Sequence, residues 1–208
     1  MAAARRLELV VVRHGVTRWN LERRYQGQRD IPLLLPDAVP DMERLREHLS
    51  GIEFDAIHCS DLARCRQTLA HVQPGRDTSA LFDPRLRELD FGDYEGRTWD
   101  ELKDDPLYRA WIDSAGMRAP PGGESSDALW GRLSAWLEGV LAQSGDRERV
   151  LAVSHGGVIR ELRRRLEAVD FWEGVVGQAQ GRHFTFIHQE GGWRCSASSA
   201  VPVQGDAN

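Results

Sequence analysis

The chain reads as an α/β protein: a three-layer α/β/α arrangement around a mostly parallel sheet that ends in an antiparallel hairpin. Three observations predict it. Short β-branched apolar runs alternate with stretches of helical period. Three of those runs end at segments rich in polar chemistry, at His14, Ser60 and His155, as strands do where a parallel sheet presents its carboxyl edge. The final two runs are separated only by Glu190-Gly191-Gly192, a hairpin signal.

Taken in order, Leu7 to Val12 is an apolar run of the kind that is buried on both faces at the centre of a parallel sheet, and Gly15 ends it. A short helix is expected from Thr17, and Tyr25 to Pro32 reads as loop. Met42, Leu45 and Leu49 recur at helical spacing within 37–49, and a second strand follows over Phe54 to Cys59. Asp61 is placed to cap a helix carrying Arg64, Thr68, Leu69 and Val72. Residues 83–126 mix periodicities, hold several Pro and Gly, and contain Phe91, Tyr94, Trp99, Tyr108 and Trp111. This stretch is expected to form a cap-like insertion over the site. Leu129, Leu133, Trp136, Leu137 and Val140 then follow a 3.6-residue period, predicting a long amphipathic helix from about Ser125 to Gln143. Arg149 to Ser154 is a strand, Val158, Ile159, Leu162 and Leu166 mark a helix, and His183 to Gln189 pairs with Trp193 to Ser198. Right-handed crossovers complete the arrangement. The expectation is one domain over 1–208, with a frayed tail over 199–208.

Composition narrows the function classes. Of 208 residues 41% are hydrophobic and 28% charged, close to soluble globular averages, and no apolar run approaches the roughly 20 residues needed to span a bilayer. A net charge of −5 argues against a nucleic-acid partner, and nothing suggests a membrane partner. The apolar run that opens the chain carries Arg13 and His14 at its end, so a cleaved leader would remove them and a cytoplasmic location is expected. Cys59, Cys65 and Cys195 are too few and too irregularly spaced for a disulfide framework or zinc knuckle, and Cys59 and Cys65, which flank a site segment, are expected as small buried thiols. Lys103 is the only lysine, so arginine usage is general and only arginines inside motifs carry information.

Four segments carry the chemistry. Val11-Val12-Arg13-His14-Gly15-Val16-Thr17 delivers an arginine and a histidine into a glycine turn. Ser60-Asp61-Leu62-Ala63-Arg64 supplies a second arginine, Leu86-Arg87-Glu88-Leu89-Asp90-Phe91-Gly92 a carboxyl group, and Val153-Ser154-His155-Gly156-Gly157 a second histidine before a helix start. Phosphoryl transfer is mainly positioning and charge stabilisation around an in-line attack. Arg13 and Arg64 each offer a planar fork of donors to phosphoryl oxygens. Cationic neighbours would favour neutral imidazole on His14, the nucleophilic form. His155 is expected to hydrogen-bond the phosphoryl group and Glu88 to protonate the leaving alcohol, with Asp90 and Glu95 as fallback acids.

Together these segments resemble the histidine phosphatase superfamily, also called the phosphoglycerate mutase-like fold, over about 10–160. The resemblance implies that Glu88 is the acid of the Leu-x-Glu segment, and that Asn20, Gln26 and Gly27 line the phosphate pocket. Val16, Leu34 and Asp37 depart from the family pattern around the loop at 30–37. The stretch from Glu88 to Gly96, followed by Pro120-Pro121-Gly122-Gly123-Glu124-Ser125, looks like small bacterial phosphomonoesterases, including the α-ribazole phosphatases. The implied activity is a metal-independent phosphomonoesterase, without cofactor, acting through a phosphohistidine on a small-molecule phosphate ester such as α-ribazole phosphate or a sugar phosphate. The alternatives are a phosphoglycerate mutase-type phosphotransferase, whose members are longer and carry a basic insertion, and a non-catalytic phospholigand-binding module. A metallohydrolase is disfavoured, since no short histidine pair is present and arginine beside His14 would repel a cation.

Overall fold

The computed structural model describes residues 5–76 and 79–202. Its elements run β1 Arg6–Arg13, α1 Arg18–Leu21, α2 Val39–Leu49, β2 Ala56–Cys59, α3 Ala63–Val72, β3 Leu81–Phe82, α4 Trp99–Leu102, α5 Pro106–Asp113, α6 Ser126–Gln143, β4 Arg147–Ser154, α7 Gly156–Leu166, β5 Gly181–Gln189 and β6 Gly192–Val201. The six strands form one sheet in the order β3-β2-β4-β1-β5-β6. The pairs joining β1, β2, β3 and β4 are parallel, and β5 and β6 add antiparallel.

The alternation along the central strands builds two cores. On β1, Leu7, Leu9 and Val11 face one layer, where α6, α7 and the 86–111 segment pack; Val10 and Val12 face the other, against α2 and α3. On β4, Val150 and Ala152 share the first layer, and Leu151 and Val153 the second. Strand segments buried on both faces are apolar, which is why 9–12 of β1 and 150–153 of β4 read as continuous runs. The hairpin turns on Glu190 and Gly191, both at positive φ, as a two-residue turn matched to strand twist requires.

Several local expectations are corrected. Asp61 does not cap α3: Leu62 occupies the N-cap, Asp61 is drawn into a two-pronged ion pair with Arg87, and the Asp30 carboxylate accepts from the Ala63 N–H at 2.7 Å. A guanidinium fork outcompetes a single backbone donor for that carboxylate. The fraying expected over 199–208 does not begin at Ser199, because Ser199, Ala200 and Val201 continue β6 against β5 and Val201 is buried; residues 203–208 lie outside the described residues. Cys195 is partly exposed, whereas Cys59 and Cys65 are buried, and all three are free thiols. Among the described residues no helix is long and apolar enough to cross a membrane.

Residues 83–126 hold short helices that pack into the same core as α6 and α7. Their aromatics turn inward: Phe91, Tyr94, Tyr108 and Trp111 are buried together beside Tyr25, whose hydroxyl meets that of Tyr108 at 2.7 Å, while Trp99 is exposed. Packing therefore accounts for most of this aromatic content.

Trp136 on α6 is 1% exposed and donates its indole N–H to His58 Nδ1 at 3.2 Å, tying helix to sheet. Trp136→Ala is expected to cost about 3–5 kcal/mol in urea unfolding, against under about 0.5 kcal/mol for Leu107→Ala at an exposed position. Equal small effects at both sites would contradict this account of the core.

Candidate active site

The carboxyl ends of β1, β4 and β2 lie side by side, so His14, Ser154-His155 and Ser60 converge from distant parts of the chain. Backbone bonds fix the convergence: His14 donates to Ser154 O at 3.0 Å and Ser60 to Val153 O at 2.9 Å. Over this edge opens a cleft of about 250 Å³ whose lining includes Arg13, His14, Asn20, Gln26, Gly27, Arg64 and Glu88. Seven of the eight expected site residues thus share one cavity wall. His155 stands beside it, its ring centroid 5.2 Å from that of His14, with Nε2 at 2.8 Å from the Ser60 hydroxyl.

His14 is 2% exposed. Its Nδ1 lies 2.7 Å from the carbonyl oxygen of Gly15, which can only accept, so Nδ1 carries the proton. Burial, then the charge of Arg64, then that of Arg13 push its pKa well below the ordinary histidine value. The ring is therefore neutral, and its lone pair is on Nε2, which has no partner among the described residues. His155 is depressed in the same way, by burial first and then by Arg64, His14 and Arg13.

The arginines are held by backbone carbonyls rather than by ion pairs. Arg64 is wholly buried; Nη1 donates to Arg29 O at 2.7 Å and Nη2 to Gly27 O at 2.8 Å, while Nε has no partner. Arg13 donates Nη1 to Val176 O at 2.7 Å, and its buried Nε is likewise unpartnered. Among the described residues neither forms an ion pair within 4 Å. A buried cation without a counter-charge is costly, and orphaned donors beside a cavity are acceptor sites waiting for an anion.

Glu88 enters from the 3₁₀ segment Pro84–Leu86. Its Oε2 accepts from Gly157 N at 3.0 Å and Oε1 from Leu89 N at 2.9 Å. A Cβ at Gly157 would lie 2.2 Å from Oε1, so the second glycine of His155-Gly156-Gly157 exists to admit this carboxylate. Arg132 on α6 holds the segment from behind, donating to the carbonyls of Arg85, Arg87 and Glu88 and pairing with Glu124. The fallback acids have other work. Asp90 Oδ1 accepts from Gly92 N at 2.8 Å, closing a turn. Glu95 binds Gln28 N at 2.8 Å and Arg29, bracing the loop whose carbonyls hold Arg64.

Asn20 and Gln26 are linked through Thr17, whose backbone N–H donates to Asn20 Oδ1 at 2.9 Å and whose hydroxyl donates to Gln26 Oε1 at 2.9 Å. Both amide oxygens are thereby occupied, which directs the amide N–H groups elsewhere. Arg24, Tyr25, Arg160, Val175 and Val176, which the sequence did not single out for the site, lie on the same wall, as does Phe91 of the aromatic-rich stretch. Arg160 had a usable signal: it lies three residues after Gly157, on the same face of α7. The segment around 175 had none, since it lacks periodicity and reaches the site only through the Arg13 contact. The described residues contain no group of three or more His, Cys, Asp or Glu side chains disposed to share a metal ion.

Comparison with known proteins agrees with this arrangement. The model of the histidine phosphatase superfamily, branch 1, matches residues 9–199. "Probable phosphoglycerate mutase GpmB" of Salmonella choleraesuis is 36% identical over 152 residues, covering 72% of this chain and 70% of that protein. Among solved structures, the α-ribazole phosphatase of Shigella flexneri superposes with TM-score 0.77 at 26% identity, covering 91% of this chain and 95% of that one. Bacillus stearothermophilus YhfR gives 0.79 at 28% identity, with 97% and 98% covered.

The two depressed imidazoles make stability depend on pH. Below about 6.5 the unfolded chain takes up protons that folded His14 and His155 refuse, so stability falls as pH drops through that value, by about 1.4 kcal/mol per unit for each histidine. Urea unfolding at pH 7.5 and 5.5 should differ by at least about 2 kcal/mol, and His14→Asn should shrink the difference. Identical stability at the two pH values would contradict a neutral, buried pair.

Proposed function

The chain belongs to branch 1 of the histidine phosphatase superfamily, and from that premise we propose that it is a metal-independent phosphomonoesterase acting on a small-molecule phosphate ester in the cytoplasm. The observation that carries this reading is that Arg64, buried, and Arg13, half-buried, keep unpartnered Nε donors and line the same cleft as a neutral histidine with a free Nε2. That set supplies an anion site and a nucleophile in one cavity.

In the proposed reaction the phosphoryl oxygens take up the free donors of Arg13 and Arg64, and the Asn20 and Gln26 amides complete the cradle. His14 Nε2 attacks phosphorus in line; the N–P bond forms as the bond to the ester oxygen breaks, and Glu88 gives that oxygen its proton. Water then attacks the phosphohistidine, Glu88 takes the proton back, and inorganic phosphate leaves. Fixed positive charge does here what a metal ion does in other phosphatases. His155, next to His14 and beneath the same arginines, orients the nucleophilic ring and donates to the phosphoryl group once substrate is seated. The segment at 83–126 acts as the cap.

The likeness to α-ribazole phosphatases and the lack of a long basic insertion favour water as acceptor, with α-ribazole phosphate or a sugar phosphate as the ester. The identity with a protein named for phosphoglycerate mutase supports a second reading, in which the same phosphohistidine passes its phosphoryl group to another hydroxyl. Release of inorganic phosphate in step with ester loss separates the two.

One assay checks the proposal. With excess EDTA present, the wild type should hydrolyse both p-nitrophenyl phosphate and an alkyl phosphate. Glu88→Gln should slow the alkyl ester by about 10²–10⁴-fold while sparing the aryl ester, whose leaving group hardly needs a proton. Activity that vanishes with EDTA and returns with Mg²⁺, Mn²⁺ or Zn²⁺ would refute the metal-free mechanism. Equal losses on both esters would remove Glu88 from the acid role.

A further inference from the structure

Thr68 lies on α3, one helical turn after Arg64, and is wholly buried behind the cleft. Its hydroxyl donates to Arg64 O at 2.7 Å and accepts from the backbone N–H of Gly15 at 3.0 Å. The Gly15 carbonyl in turn accepts from His14 Nδ1 at 2.7 Å. Resting on the reading of His14 as nucleophile, we propose that Thr68 is a positioning residue. Acting through Gly15, its hydroxyl holds the His14 ring in the tautomer that leaves Nε2 bare, and it fixes the place of that ring relative to Arg64.

The two halves of the hydroxyl have different meanings. A threonine inside a helix commonly returns its proton to the carbonyl four residues back, so the donor half is ordinary local chemistry. The acceptor half leaves the helix. With its proton committed to Arg64 O, the oxygen turns a lone pair to the Gly15 N–H and ties the turn after β1 to the helical turn that carries Arg64. The peptide joining His14 to Gly15 is thereby clamped at both ends, since Ala179 N–H donates to His14 O at 3.2 Å while Thr68 takes the Gly15 N–H.

Packing alone does not require this hydroxyl, because a valine would fill the same space. Gly15 is pressed against α2, where a Cβ would lie 3.1 Å from Met42 Sδ and 3.3 Å from Ala38 Cβ, but those neighbours offer it no polar contact. Without the Thr68 oxygen the Gly15 N–H is left buried and unpaired, a state that the chain relieves by turning the peptide. Turning it draws the Gly15 carbonyl away from Nδ1. A neutral imidazole released from that bond can carry its proton on either nitrogen, and a ring protonated on Nε2 has no lone pair there for phosphorus. Thr68 therefore acts on the reaction without touching the substrate.

Long-range proton–nitrogen NMR on protein with labelled histidine reads the tautomer directly, and the His14 signals are assigned by their loss in His14→Asn. The wild type should show widely separated shifts, with Nδ1 protonated and Nε2 bare, and Thr68→Ser should keep that pattern. In Thr68→Val the two shifts should converge. On p-nitrophenyl phosphate Thr68→Val should lose about tenfold or more in kcat with KM held within about twofold, while Thr68→Ser stays within about threefold of the wild type. Thr68→Cys, whose sulfur is a weak acceptor, should fall between Ser and Val in both readings and serves if the valine variant does not fold. A wild-type His14 protonated on Nε2, or a His14 pattern unmoved in folded Thr68→Val or Thr68→Cys, would overturn the proposal. So would a loss of kcat in Thr68→Ser equal to that in Thr68→Val. Failure of the wild type to hydrolyse p-nitrophenyl phosphate would overturn the phosphatase reading instead, since the tautomer spectra do not depend on turnover.

Discussion

Two guanidinium groups held by backbone carbonyls rather than by ion pairs, Arg64 buried and Arg13 half-buried, set the terms for the rest of this structure. Elsewhere the protein pairs its arginines freely, as in the ion pairs of Glu161 with Arg164 and Arg165 and of Glu167 with Arg163 and Arg182. At the carboxyl edge of the sheet it gives Arg13 and Arg64 only backbone carbonyls, whose partial charges orient a cation without cancelling it. Burying uncompensated charge costs folding energy that an apolar substitute would not. The arrangement makes sense as electrostatic preorganisation: the field an anion needs is in place before the anion arrives. Burial and then the same field keep His14 and His155 neutral, so one constraint would supply both the proposed anion site and the state of the proposed nucleophile.

Holding those charges in place takes contributions from most of the chain. The loop at 26–29 supplies the carbonyls for Arg64, and Glu95 braces that loop. The carbonyl of Val176 holds Arg13 from the opposite side. Arg132 reaches from α6 to three carbonyls around Glu88, and Gly157 clears space for its carboxylate. The sheet brings three strand ends together; the loops convert that proximity into a site with defined donors. Rigid elements fix position while irregular backbone, rich in free carbonyls and N–H groups, provides the solvation that buried charge requires.

The legibility of the sequence follows this division. β1 and β4 were readable because burial on both faces leaves only apolar residues, and α6 because one face is buried at a 3.6-residue period. Arg13, His14, Arg64 and Glu88 were readable because each sits in a short segment whose residue types suit phosphoryl chemistry, and all four line the cleft. Choosing Glu88 over Asp90 and Glu95 came from the resemblance; all three carboxylates accept backbone N–H groups, and what sets Glu88 apart in the structure is that it lines the cleft. Asp61 was misread because local capping chemistry looks the same whether or not a distant arginine competes for the carboxylate. Arg160 and the segment at 175 were missed for a related reason: their place in the site depends on how the 167–180 connection folds back, and that is a tertiary matter without local pattern.

The central claim is that a neutral His14 attacks through Nε2 in a site charged by two unpaired arginines. Mixing enzyme with p-nitrophenyl phosphate, quenching in alkali within milliseconds and locating phosphate by mass spectrometry tests it most directly, because phosphohistidine survives base. The account predicts one phosphate per chain, on His14, absent in His14→Ala. Phosphate on His155, or turnover in a His14→Ala variant with no trapped intermediate, would contradict it.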